Sequence, residues 1–484
     1  MALSLKAAGQ DKSVNVDVLM PIACIGLAFH WACLFVGIYL PVSLPIFTVS
    51  QQELTRVFCF AGIAVGVLMI GAFADRLAGT AGRIRLAVLG VFLMLLCNVS
   101  LLLVYFGLVF PDPLMWIFWF GFGAGTSCGL MTWLDFLSHG NPKNSSSFIA
   151  AGVAIGGLIC LGVAGLPPLP IIISLIALPI LSCATLLFHY SRTELPLPVE
   201  SKRSKERYTL SIMSSTTVGI YGVVFGLSQF MIFSEEPAPI SPMVIGAAVI
   251  VGCFVLVLAN TLNKQPVKFS TTQRVLFPLM VIVLLLIPFT GNVYLTLCWA
   301  LLMAALTCFD TANMGALART SHEYKLTSFY FISRGRLPIQ IGMFTGWMLG
   351  YVLLRFHIIS AGLMIFVVLG LVVLLVVIAT IVPFEKSGFG TVLSDANGDN
   401  NRDGLGSWQL RCQEVSRKYE LSSRQQDVLV FLAKGRNAEY IQKELVVSNH
   451  TAKTHIYQIY RKLGVHSQQE LIDLVEQAKL PPRS

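Results

Sequence analysis

The chain has 484 residues, of which 55% are hydrophobic and only 12% charged, and its mean hydropathy is +0.74. A charged share about half that of a soluble domain excludes water as the solvent for most of the chain. The charge is unevenly placed: residues 1–383 hold 20 of the 34 Lys and Arg and 13 of the 25 Asp and Glu, which leaves 14 and 12 for residues 384–484.

A hydrocarbon layer about 30 Å thick needs about 20 apolar residues per crossing helix, and twelve such stretches follow one another between Val16 and Pro383. They fall in two sets of six, at 16–40, 54–74, 86–110, 113–136, 148–166 and 169–190, then at 210–232, 241–262, 275–291, 293–316, 337–357 and 359–383. The polar stretch from Ser191 to Thr209 carries Arg192, Lys202, Arg203, Lys205 and Arg207 and reads as a central loop. Short cytoplasmic connections carry the Lys and Arg excess. Alternate connections hold Arg76, Arg83, Arg85, Lys143, the central cluster, Lys264, Lys268, Arg274, Arg319, Lys325, Arg334 and Arg336, which with Lys6 and Lys12 puts 18 of the 20 basic residues on one side. Arg56 and Arg355 fall on the other, where Ser234-Glu235-Glu236-Pro237 is acidic. Both termini are therefore expected in the cytoplasm, with the chain in the inner membrane and its first helix kept as an anchor.

Ionisable groups at bilayer depth are costly and face a cavity or a partner helix. They are His30 beside Trp31 in the first helix, Asp135 near the end of the fourth, and Asp310 in the tenth, with Asn313 one turn further along the same face. Gln229 and Gln340 add neutral polar groups. Two readings stay open: His30, Gln229, Asp310 and Asn313 hold a small-molecule ligand or a proton, or these groups tie helices to one another. Glycines at four-residue spacing, Gly121, Gly125 and Gly129, then Gly152 and Gly156, are expected to pack inside the bundle. Ten of the eleven cysteines lie in or beside the apolar stretches, only Cys412 is in the tail, and no Cys-x-x-Cys pair occurs, so neither a disulfide framework nor a zinc site is indicated and no cofactor is expected.

From 384 to 410 the chain is poor in apolar residues. Its Asp395-to-Gly406 run places Asn400 and Gly406 where a calcium loop needs Gly and Glu, so it reads as a flexible linker. Residues 411–484 then form helical patterns. Ser422 or Ser423 caps a helix with Val428, Leu429 and Leu432 on one face, and Gly435 stops it. A short helix follows around Ala438 to Glu444, a longer one runs from Asn449 to Leu463 before Gly464, and a fourth runs from about Ser467 to Ala478. A cap and turn between the second and third suits a helix-turn-helix.

Six plus six helices, a long basic central loop and Gly71-Ala72-Phe73-Ala74-Asp75-Arg76 followed by Gly82-Arg83 resemble the major facilitator superfamily, although Asp75-Arg76 also fits an ordinary charged helix end. That resemblance places helices one, four, seven and ten around a central cavity, where His30, Gln229 and Asp310 would meet. The tail from Leu421 to about Val475 closely resembles the LuxR-type (NarL/FixJ-like) DNA-binding domain. The resemblance rests on Leu421-Ser422-Ser423-Arg424, Ala433-Lys434-Gly435, Val447-Ser448, Lys453-Thr454-His455 and Lys462-Leu463-Gly464-Val465. It implies that Asn449 to Leu463 reads DNA, with Lys453, Thr454 and Tyr457 at base edges and nearby phosphates, Thr451 and Lys462 on the backbone, and a dimer surface on the last helix. Gln425, Tyr440-Ile441-Gln442 and Ala452 depart from the family pattern, the first two weakening an internal ion pair and the third shortening a core side chain. Surface packing is the other reading of Tyr457.

The expected architecture is all-α: a twelve-helix transmembrane sensor or transporter-like domain (1–383), a flexible linker (384–410) and a helix-turn-helix domain (411–484). No Walker loop, zinc-protease helix motif or nucleophile-base pair is legible, so enzymatic activity is not expected. The expected function is a membrane-bound one-component transcription regulator. Its partners would be the lipid bilayer, an unknown small molecule, and double-stranded DNA at an inverted repeat, met as a homodimer. A secondary transporter with an autoregulatory DNA-binding tail is the alternative, and a constitutive tether the third.

Overall fold

The computed structural model describes residues 16–39, 49–193, 195, 212–234, 242–263, 267, 269–286, 292–323, 327–356, 366–367, 369–370, 405–433, 435, 438–445 and 449–478, and no strand occurs among them. The chain divides into two compact units, Met1–Ala396 and Asn397–Ser484.

In the first unit the described helices are α1 (Val16–Tyr39), α2 (Val49–Ala72), the short α3 (Ala74–Leu77), α4 (Thr80–Tyr105), α5 (Asp112–Ser138), α6 (Pro142–Ala164), α7 (Pro168–Arg192), α8 (Ile212–Ser234), α9 (Pro242–Leu262), α10 (Phe269–Leu286), α11 (Asn292–Glu323) and α12 (Ser328–Arg355). Nine of them are long and apolar enough to cross a bilayer, which makes this a multi-pass membrane protein. The expected twelfth helix, 359–383, lies outside the described residues but for four isolated positions.

Several helices begin before the apolar run does. α4 starts at Thr80 rather than 86, α6 at Pro142 rather than 148, α10 at Phe269 rather than 275, and α12 at Ser328 rather than 337. All four starts lie at the end of the bundle that carries the basic connections, called the basic end below. The apolar stretch marks only the hydrocarbon-embedded part of a helix, whereas backbone hydrogen bonding continues into the polar interface.

Within the first half α1 packs on α6 and α7, and α2 and α4 pack on α5; in the second half α8 packs on α12, and α9 and α10 pack on α11. The halves meet along α2–α12 and α6–α9. Two glycines set the closest crossing. A Cβ on Gly62 of α2 would lie 2.0 Å from the Phe120 carbonyl oxygen of α5, and one on Gly123 would lie 2.0 Å from the Cys59 carbonyl oxygen of α2. Any side chain there would separate the helices, as the small-residue packing rule requires. The expected internal role holds for Gly125, which faces Gly90, and for Gly152 and Gly156, which face α1; Gly121 has only Leu93 near it, at 3.9 Å.

The second unit comprises α13 (Leu405–Lys418), α14 (Ser423–Ala433), α15 (Ala438–Leu445), α16 (Asn449–Leu463) and α17 (Gln468–Gln477). α13 begins inside the stretch read as linker, and its Cys412 and Val415 join Val428, Leu429, Leu432, Ile441, Ile459, Leu463, Leu471 and Val475 in one core. Each such aliphatic side chain removed from water stabilises the unit by roughly 1.5–3 kcal/mol. Gly435 and Gly464 take φ of 76° and 69°, the left-handed residue that ends a helix.

Candidate functional site

The chain offers two sites, one in each unit. In the second, Ser422 is the cap of α14: its backbone N–H donates to Gln425 Oε1 (3.0 Å) while its Oγ accepts from the Gln425 N–H (3.3 Å). This is the reciprocal capping box with Gln in the acidic place. The same Gln425 amide donates to Gln458 Oε1 at 3.0 Å, tying α14 to α16.

α16 is held from behind. Ala452, Ile459 and Leu463 are buried, and at 100° per residue they share the face opposite Lys453, Thr454 and Tyr457. Lys453 and Thr454 are exposed, and Tyr457 projects with 67% of its surface open. His450 and Arg461, which sequence reading passed over, are exposed on the same stripe. The spacing i, i+3, i+4, i+7, i+11 from His450 was the signal for both. Thr454 Oγ1 donates to the His450 carbonyl (2.9 Å), and Lys462 Nζ donates to the Glu420 carbonyl (2.7 Å). Thr451 is half-buried. α17 is capped by Ser467, whose Oγ accepts from the Glu470 N–H (3.1 Å), and Glu470 Oε2 accepts from the His466 N–H (2.9 Å). That backbone donor lowers the Glu470 carboxyl below its ordinary range.

In the membrane unit, a cavity of about 100 Å³ lies between the halves, lined from α1, α2, α5, α6, α8, α11 and α12. Its wall is largely aromatic, with Trp31, Phe35, Phe60, Tyr221, Phe225 and Phe309. Tyr221 and Phe309 stack with centroids 4.3 Å apart and planes within 8°. The charged lining residues among those described are Asp310 and Arg336, which form an ion pair between α11 and α12 through Asp310 Oδ1 and Arg336 Nη1. The arginine side chain is 2% exposed and the carboxylate 23%. The guanidinium is therefore buried in the wall, and the carboxylate is the open end of the pair.

The expected ligand residues are not all brought together. Asp310 lines the cavity. Gln229 is buried and its Nε2 lies on the sulfur of Met303, a lining residue. Asn313 is fully buried, with both amide atoms unpaired, and does not line the cavity. His30 stands apart: it lines a separate void of about 10 Å³ with Gly129, Trp133 and Ser182, and a Cβ on Gly129 would lie 2.7 Å from its ring.

Two arginines assigned to basic connections belong instead to the helical interior. Arg336 is one. Arg83 of α4 is the other, with Nε donating to Asp135 Oδ2 of α5 at 2.7 Å, both side chains 2% exposed. Gly82 lets the start of α4 lie against α3, because a Cβ there would sit 2.7 Å from the Arg76 carbonyl oxygen and 2.8 Å from Leu77. An unpaired carboxylate on each of two helices was the sequence signal that a basic partner had to be inside. At the same basic end the halves are tied by Ser138 Oγ to Ser328 Oγ (3.0 Å) and by His322 Nδ1 to the Ser138 carbonyl (2.8 Å).

Residues 419–475 match the family described as "Bacterial regulatory proteins, luxR family". Over 60 residues the chain is 42% identical to the Fimbriae Z protein of Salmonella typhimurium, a stretch that makes up 12% of this chain and 29% of that protein. The chain thus spans under a third of the length of that curated relative. The membrane unit is similar to the outward conformation of a Major Facilitator Superfamily transporter, FucP, with a TM-score of 0.50 and 13% identity over 74% of this chain and 98% of that one. A second structure, a variant of the E. coli fucose:proton symporter FucP, aligns with a TM-score of 0.49 and 14% identity over 75% and 98%. The chain therefore pairs a membrane unit similar in fold to a major facilitator transporter with a tail that matches the luxR family model, and neither likeness is to an enzyme.

Proposed function

We propose that this chain is a membrane-bound one-component transcription regulator. The cavity between the halves of its membrane unit takes a small molecule, and the exposed stripe of α16 reads DNA. The observation that carries this reading is the coexistence in one chain of a LuxR-type match over residues 419–475 and a multi-pass bundle holding a cavity whose described lining includes the Asp310–Arg336 ion pair. A ligand shifts the bundle between two arrangements only by its differential affinity for them, and the chain between the bundle and α13 carries that bias to the reader. The protein sits in the inner membrane with both termini in the cytoplasm. Removing Arg83 and Arg336 from the count of basic connections leaves 16 of 20 basic residues on that side, which still sets the orientation. On DNA it acts as a homodimer at an inverted repeat, with Lys453, Thr454 and Tyr457 at base edges and Thr451 and Lys462 towards the backbone.

Asp310→Asn in a strain reporting from the chain's own target promoter tests the reading. The substitution alters the response to growth conditions while the purified full-length protein keeps its DNA affinity. A response identical to that of the unsubstituted protein would remove the cavity from the account. The transporter fold favours a second reading, a transporter that regulates its own gene. Saturable substrate uptake into proteoliposomes would support that reading and demote the pure sensor.

A further inference from the structure

Resting on the sensor reading, we infer that the cavity ligand is an uncharged molecule of about one aromatic ring carrying a single hydroxyl or amide donor. Size comes first. A volume of about 100 Å³ is on the scale of cavities that hold one six-membered ring. Shape follows from the wall, where the Tyr221–Phe309 stack and the rings of Trp31, Phe35, Phe60 and Phe225 present flat apolar faces. Such faces suit a planar body in offset or edge-to-face contact.

Charge is decided by the ion pair. Asp310 and Arg336 neutralise one another, and they are the charged groups among the described lining residues. A ligand ion of either sign would meet one member of the pair with its counter-charge already beside it. Either would leave one net charge in an apolar site between membrane helices, where desolvation is costly. A neutral ligand leaves the pair intact. The hydrogen-bonding end is set by exposure: of the two lining groups the Arg336 side chain is 2% exposed, whereas the Asp310 carboxylate is 23% exposed. An exposed acceptor calls for a donor, so the head group is a hydroxyl or an N–H. Thr307, Thr311 and Gln340 supply further polar contacts along the same wall.

The test uses the full-length protein in nanodiscs and 4-fluorobenzyl alcohol followed by fluorine NMR, with empty nanodiscs as the partitioning control. The expected result is a saturable protein-dependent signal displaced by benzyl alcohol at concentrations at least ten-fold lower than by benzoate or benzylammonium, which match it in size and differ in charge. Leu130→Trp, which fills the cavity, abolishes the signal, and Asp310→Asn weakens binding several-fold. Should the filled variant fail to fold, the order of the three competitors decides alone. Equal or stronger displacement by either charged competitor, or no saturable signal, overturns the inference. Those outcomes leave the reporter response of Asp310→Asn untouched, so the sensor reading stands or falls separately.

Discussion

At the scale of single residues, two ion pairs link helices of the membrane unit, one buried and one open to the cavity at Asp310. Arg83 and Asp135 are each 2% exposed, so removing one partner strands the other in an apolar interior. Arg83→Ala is expected to lower the melting temperature of the detergent-purified protein by the equivalent of about 3–5 kcal/mol. Arg83→Met combined with Asp135→Leu recovers most of that loss, because no lone charge remains. An additive double variant would contradict the pairing. Lys453 gives the matching test in the other unit. Replaced by Ala, it weakens promoter binding by about 1–3 kcal/mol in a gel-shift assay if it meets a base edge, and unchanged affinity assigns that role elsewhere on the stripe. Both carboxylates were legible in the sequence because charge at bilayer depth is conspicuous. Their partners were not, because Arg83 and Arg336 lie at the polar starts of α4 and α12, where the hydropathy pattern places a loop and helix geometry places a buried turn. His30 shows the reverse limit: its depth was readable, but which side of α1 faces the cavity is decided by the packing of α5 on α1.

At the scale of elements, helix ends account for most of what the sequence revealed about the tail domain. Gly464 at φ 69° ends α16 and carries a backbone bond from the Val465 N–H to the Tyr460 carbonyl at 3.1 Å. Gly464→Ala should destabilise the domain by about 1 kcal/mol, read as faster hydrogen exchange in α16 and α17. Glu470 adds a pH dependence. Its carboxyl is lowered chiefly by the His466 N–H, so the cap is present above the ordinary carboxylate value of 4.5 and is lost as pH falls through the lowered folded value. Protection of the His466 amide should therefore fade only below about pH 4.5, and Glu470→Gln should leave it weaker and flat with pH; a fade at neutral pH would contradict the cap. Eleven of the twelve apolar runs coincide with described helices, and the twelfth, 359–383, lies outside the described residues but for four isolated positions. The true starts of α4, α6, α10 and α12 were not readable, since polar residues continue a helix into the interface without any apolar signal.

At the scale of the whole molecule, charge is divided by function. By sequence, 16 of the 20 basic residues of the membrane unit fall in the connections at one end, and the tail holds 14 basic and 12 acidic residues, so on the proposed function DNA binding would depend on the placement of Lys453, Arg461 and their neighbours rather than on bulk attraction. Binding should fall with salt at a slope set by a few phosphate contacts. The central claim is that the intact, membrane-embedded chain occupies specific DNA. Crosslinking in cells, isolation of the membrane fraction and sequencing of the DNA recovered with the full-length protein test it directly. The account predicts discrete promoter peaks containing an inverted repeat, lost in Lys453→Ala while the protein stays in the membrane. A recovered profile identical for the unsubstituted protein and Lys453→Ala would contradict it.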